Sequence, residues 1–149
     1  MVLGLLMALV TASSPAPAPQ TDRLICEVGR QAMLDLPRFD ASPPKNERFY
    51  GEKYVSGILS KCPSLRMELP RPYRLAEASE YQRRAEIISA HPVSIFFTGV
   101  PVMDADGTRA IFDVGFSCNG LCGVSYRAVY VRTEHGWQME GSPQVKSVS

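Results

Sequence analysis

No stretch of this 149-residue chain is both apolar and long enough to span a bilayer, which takes about 20 residues. The longest uncharged apolar run, residues 2–10 (VLGLLMALV), falls well short. Charge of one sign is lacking too: 16 basic against 15 acidic residues give a formal charge of +1, with no run of like charge. That pattern argues against a nucleic-acid groove and a polybasic membrane patch. Histidine is scarce, with only His91, before Pro92 in a loop, and His135, in a tight turn. A nucleophile needs a base within hydrogen-bond reach, and that base needs an orienting group. Ser117 and Ser125 have no nucleophile-elbow sequence around them, and there is no glycine-rich phosphate loop. No catalytic residue and no cofactor are expected.

What is present at the N-terminus points to export. The apolar run leads into Val10-Thr11-Ala12, whose small or short side chains suit a signal peptidase, so residues 1–12 read as a secretory signal peptide. The usual Lys or Arg ahead of the run is missing. Residues 13–20 (SSPAPAPQ) alternate Pro with Ala, favour extended polyproline II and read as a tether. Residues 21–149 then form a single domain, large enough for one core. Cys26 is not a lipid-attachment site, because Asp22 and Arg23 stand where apolar and small residues would be needed. The expected address is periplasmic or secreted, with no membrane span in the mature chain.

The densest structural signal surrounds Cys118-Asn119-Gly120-Leu121-Cys122. Folding the chain so that Cys118 faces Cys122 sets Phe116 opposite Val124, Val114 opposite Tyr126, Phe112 opposite Ala128 and Ala110 opposite Tyr130. All lie on one side of a two-stranded ribbon, because side chains alternate with a period of two. A tight type I′ turn at Asn119-Gly120 would slip the register by one and scatter the apolar set over both faces. The side-chain pattern outvotes the turn dipeptide. Four cysteines in an exported chain favour two disulfides, for which three pairings exist. Cys118–Cys122 and Cys26–Cys62 are preferred, since the first pair is adjacent across the hairpin.

Leu24, Ile25, Val28, Ala32 and Leu36 follow a Thr21 or Asp22 cap at helical spacing, and Pro37 ends that helix. A short helix is expected near 54–61 and another over 76–88, with Arg83-Arg84 on a solvated face. Strands are expected near 93–102, 109–118 and 122–133, and a fourth from Trp137, which joins Met139 on the face of Tyr126, Ala128 and Tyr130. The fold class is therefore α+β, with N-terminal helices packed on a C-terminal four-stranded antiparallel β-meander. Ile111, Val129 and Val131 imply that part of the second face is covered as well.

Other constellations carry less chemistry. Asp104-Ala105-Asp106-Gly107-Thr108 looks like the start of a calcium loop, but Arg109-Ala110-Ile111-Phe112 supplies no later carboxylate. A hairpin turn explains Asp-Gly better. The cysteine spacings resemble no common zinc pattern, so no metal is expected. Cys118 and Cys122 sit on a hairpin instead of at a helix N-terminus, which favours a structural cystine over a redox pair. Tyr50, Tyr54 and Tyr73 could line a pocket or the rim of a core.

The C-terminal part, Asp104-Ala105-Asp106-Gly107-Thr108-Arg109-Ala110, then Cys118-Asn119-Gly120-Leu121-Cys122-Gly123 and Gly136-Trp137, resembles small, uncharacterised bacterial envelope proteins. They share a Cys-x3-Cys-Gly hairpin and a Gly-Trp-like strand start. The resemblance spans roughly residues 93–148 and implies an exported domain with no assigned activity or site residues. The expected function is a non-catalytic binding or interaction module of the bacterial envelope, its partner an envelope protein or a small ligand. Inhibition of an envelope hydrolase is a special case. The alternative is a small periplasmic enzyme with a site between helices and sheet. A deep pocket enclosing His91 beside a carboxylate would favour the enzyme; a shallow apolar groove or an exposed sheet edge would favour the binder.

Overall fold

The structure, a computed structural model, describes residues 18–149. The signal peptide at 1–12 and tether residues 13–17 lie outside the described residues. In chain order the elements are helix α1 (Ala18–Leu34), a 3-10 turn (Leu36–Phe39), strand β1 (Glu47–Tyr50), helix α2 (Ile58–Lys61) and a 3-10 turn (Pro63–Met67). Strand β2 (Arg74–Leu75), helix α3 (Ala78–Ala85), β3 (Val93–Thr98) and β4 (Val102–Met103) follow. The chain ends with β5 (Arg109–Cys118), β6 (Val124–Thr133), β7 (Gly136–Met139) and β8 (Gln144–Val148).

The expected four-stranded antiparallel meander is not the fold. Eight strands form one mixed sheet in the order β2-β1-β3-β5-β6-β7, with β4 also on β5 and β8 also on β6. β1 inserts parallel to both β2 and β3, so the N-terminal half contributes strands as well as helices. β1 is four residues long and β2 two, too short to show a period of two in the sequence. The run expected as one strand over 93–102 breaks at Gly99-Val100-Pro101 into β3 and β4, both antiparallel to β5. The run from Trp137 likewise divides, and β7 and β8 lie end to end along β6.

The central hairpin pairs as the alternation predicts, with Phe116 opposite Val124, Val114 opposite Tyr126, Phe112 opposite Ala128 and Ala110 opposite Tyr130. These residues meet Phe96, Tyr50 and Trp137 on the front of the sheet. Leu24, Ile25, Val28, Ala32 and Met33 of α1 cover them, one apolar stripe closing over an aromatic layer. α1 starts at Ala18, inside the stretch read as a tether, and stops at Leu34 because Pro37 sits in the 3-10 turn that follows. Cys26 is bonded to Cys62, fastening α1 to the junction after α2, and Cys118 is bonded to Cys122 across the β5–β6 turn.

The back face is only half covered. α3 packs over β3, and its Tyr81, with Ala76, closes over Phe49, Val93 and Ile95. Beyond that edge Ile111 is exposed, while Val129 and Val131 are half-buried. α3 spans only Ala78–Ala85 of the expected 76–88, because Glu77 and Glu80 form a capping box at its start and the chain turns extended at Glu86. The helix expected near 54–61 begins only at Ile58. Arg83 is not on a solvated face: it is half-buried, pairs with Glu47 and Glu80, and lies over the Phe49 ring.

Candidate functional site

β2, β1 and β3 run parallel, so their carboxyl ends open at one side of the molecule. From β1 the chain passes to α2 on the front face; from β2 it passes to α3 on the back. Adjacent parallel strands whose connections leave toward opposite faces create a crevice between them. Here the crevice is a cleft of about 690 Å³, walled by the loop 51–57 and α2 on one side and by Leu75, Ala76, Glu77, Ala78 and Tyr81 on the other.

Glu52 lines this cleft and is built into it. The Tyr50 hydroxyl donates to its Oε1 at 2.6 Å and the Leu59 N–H donates at 3.0 Å, so the carboxylate also caps the start of α2. The Tyr50 hydroxyl accepts the Thr98 N–H at 3.1 Å, which ties β1 to the end of β3. Burial raises the Glu52 carboxyl above its ordinary range, and the bonds from Tyr50 and Leu59 oppose that rise only in part. Two glycines permit the arrangement. A side chain at Gly57 would overlap the Glu52 carboxylate, and one at Gly51 would overlap the Tyr81 hydroxyl. That hydroxyl accepts the Lys53 N–H at 3.2 Å. At the rim Tyr54 and Tyr81 meet edge to face at 5.5 Å, with the Lys53 ammonium 5.3 and 5.1 Å from their respective centres.

A second recess of about 510 Å³ lies across the loop 51–57, and Val55 and Ser56 line both. Its lining includes Phe97, Val100, Val102 and Ile111, and its polar side is Asp113, Ser125 and Arg127. The Asp113 carboxylate accepts from Lys146 at 2.8 Å and Arg127 at 3.3 Å. Burial works to raise the Asp113 carboxyl, but Lys146 and Arg127 outweigh it and hold the group below its ordinary range. This is a mainly apolar recess on the uncovered half of the back face. The two recesses together offer apolar contact area, aromatic edges and two anchored carboxylates, Glu52 and Asp113.

No family model, no curated protein and no solved structure matches the chain. The site therefore rests on geometry.

That geometry separates most residues singled out in the sequence. His91 is exposed in the loop between α3 and β3 and lines neither recess. His135 is exposed in the β6–β7 turn, 3.2 Å from Glu134. Tyr50 lines the cleft, Tyr54 stands at its rim, and Tyr73 is buried against Phe96, so the three tyrosines share no pocket. Asp104 spends its carboxylate on the turn, accepting from the N–H groups of Thr108 and Arg109 and from the Thr108 hydroxyl. Among the described residues no three His, Cys, Asp or Glu side chains are grouped as a metal site requires. Glu52 and Tyr81 carried no sequence signal, because they meet only through the crossover from β1 to β3. The flanking Gly51 and Gly57 were the available hint, as glycines where another group approaches the backbone closely.

Proposed function

We propose that this protein is a non-catalytic binding module of the bacterial envelope, exported to the periplasm or beyond, which takes an envelope protein or a small ligand in the joined cleft and groove. The observation that carries the reading is the pair of recesses sharing Val55 and Ser56, one mainly apolar, the other lined by a carboxylate already engaged by Tyr50 and Leu59. Glu52 accepts the Tyr50 hydroxyl and the Leu59 N–H, bonds that fix it in the cleft wall as a structural acceptor. No histidine lines either recess. Two disulfides are compatible with an extracellular protein, and among the described residues no helix is long and apolar enough to cross a membrane. The resemblance of the C-terminal part to envelope proteins points the same way.

The competing enzyme reading draws on the raised Glu52 carboxyl at a strand-end crevice, where such groups often do acid–base work. One experiment separates the two. Mature protein is used to capture partners from periplasmic extract, with bound species identified by mass spectrometry, beside Val55→Asp and Val102→Asp variants. Both positions are exposed, so the variants should fold and lose the captured species. His91→Ala and His135→Ala should leave the biological phenotype largely intact. If Glu52→Gln, or either histidine substitution, abolishes function at an unchanged melting temperature while capture of partners persists, the enzyme reading wins.

A further inference from the structure

Two carboxylates and two cations line the cleft; hydrogen bonds engage the carboxylates, and the cations have no anion. Glu52 takes the Tyr50 hydroxyl and caps α2 through the Leu59 N–H, while the Glu77 side chain accepts a backbone N–H in the capping box of α3. Lys53 and Arg66 are exposed, and neither makes a salt bridge among the described residues. The Lys53 ammonium lies over the Tyr54 and Tyr81 rings, which hold it in place and leave its charge uncompensated. Arg66 favours the ionised form of Glu52 from beyond salt-bridge reach, so its guanidinium donors stay available. Resting on the reading of this cleft as a binding site, we propose that it takes a small organic acid, with the oxyanion head on Lys53 and Arg66 and the apolar body along Leu59, Leu75 and Ala76.

Charge and space choose the ligand. A cation would have to share a carboxylate that already accepts from the protein, with Lys53 and Arg66 repelling it. An anion meets two positive groups and displaces only water. The second recess offers no such charge, because Arg127 there pairs with Asp113, as Lys146 does. The planar fork of Arg66 matches the oxygens of a carboxylate and of a phosphate alike, so either can serve as the head. A cleft of about 690 Å³ is of the size that small molecules occupy, and Leu59, Leu75 and Ala76 give it the apolar wall such sites carry beside a few polar groups. Both cations are exposed, so the attraction is open to screening by salt.

The test is a titration of the mature protein, followed at its backbone amides by NMR, with phenylbutyrate and with phenyl phosphate, which pair an aromatic body with the two kinds of head. At least one should bind with a Kd in the low millimolar range or tighter, as the size of these ligands allows. Shifts should centre on Lys53, Arg66 and Leu75, and the acid that binds identifies the head. Arg66→Gln and Lys53→Met should each weaken binding about threefold, the worth of an exposed ion pair, and by less in high salt. Both variants should keep the wild-type melting temperature, because the side chains are exposed. Absence of shifts with either acid at tens of millimolar would overturn the proposal, as would variants that bind as wild type does. Neutral phenylbutanol or cationic phenylbutylamine binding as tightly as phenylbutyrate would overturn it too, and so would acetate, which has the head without the body. Partners captured from periplasmic extract and lost in Val55→Asp, with neither acid bound, would refute the organic acid and leave the binding reading standing. An acid bound at Lys53 and Arg66, with no species captured by wild type, would uphold the acid and remove the envelope-protein partner.

Discussion

Removing the Asn119 side chain tests whether a residue whose sequence context reads as a turn signal is in fact a structural clamp. Its Oδ1 takes the Val93 N–H at 2.9 Å, and its amide donates to Glu86 O at 2.9 Å and also to Arg83 O. Those three bonds join the cystine loop to the end of α3 and the first residue of β3. Asn119 does not occupy the left-handed region, so Asn119→Ala adds no backbone strain. At about 1 kcal/mol per bond, plus desolvation of the abandoned Val93 N–H, the loss should be roughly 2–4 kcal/mol. For a domain of about 130 residues, each kcal/mol moves the melting temperature by roughly 4 °C, so a fall of about 8–16 °C is expected. Asn119→Asp should not rescue it, since a carboxylate would face the two carbonyls. The assay is thermal unfolding followed by circular dichroism, with hydrogen exchange at the Val93 amide. A loss below about 0.5 kcal/mol, with Val93 protected as in wild type, would refute the clamp.

Replacing Cys26 and Cys62 with Ser should cost about 4 kcal/mol and replacing Cys118 and Cys122 about 2 kcal/mol, from closing loops of 36 and 4 residues; non-reducing peptide mapping and denaturant titration check pairing and cost. Trp137→Ala should cost roughly 3–5 kcal/mol and bring the domain near unfolding, read by urea denaturation, because Trp137 is buried in the front core. Burial works to raise the Asp40 carboxyl, but Arg48, Ser42 and Tyr73 outweigh it and hold the group below its ordinary range. Its stabilising effect is then present above the unfolded value of about 3.9 and lost as pH falls through the lower folded one, so wild type should lose stability toward acid more steeply than Asp40→Asn. The mature protein should begin close to Ser13, and intact Met1 on most molecules recovered from the producing cell would contradict the signal-peptide reading.

The parts of the fold legible in the sequence were those with a long local period. β5 and β6 each run ten residues, so alternation specified their register, and α1 displayed its stripe over four turns. β1, β2 and β8 are shorter, and what fixes them is pairing with distant partners. Even where β3 was legible, its setting was not. Ser94 and Thr98 are fully buried polar residues, and Ser94 is tolerated because Asn46 donates to its hydroxyl at 3.1 Å from a loop far back in the chain. The site was less legible still, since the cleft exists only where β1 and β2 diverge toward opposite faces. Arg83 read as solvated because its partners Glu47 and Phe49 belong to the strand the sequence did not reveal.

The parallel insertion of β1 beside β3 also decides what happens when the chain is cut. A cleavage in the crossover beyond Cys62, between Pro63 and Val93, would leave the antiparallel part from β3 to β8 covalently whole and with no disulfide to the N-terminal piece. Loss of the N-terminal piece would then strip β3 of its neighbour and expose a line of unsatisfied N–H and C=O groups. That edge carries Val93, Ile95 and Phe96, all now buried, and aromatic residues on the front would lose α1 at the same moment. A bare hydrophobic strand edge is a template for pairing with another chain. Proteolytic nicking should therefore convert this domain from a folded unit into an aggregating species, making the intact crossover its protection against amyloid-like assembly.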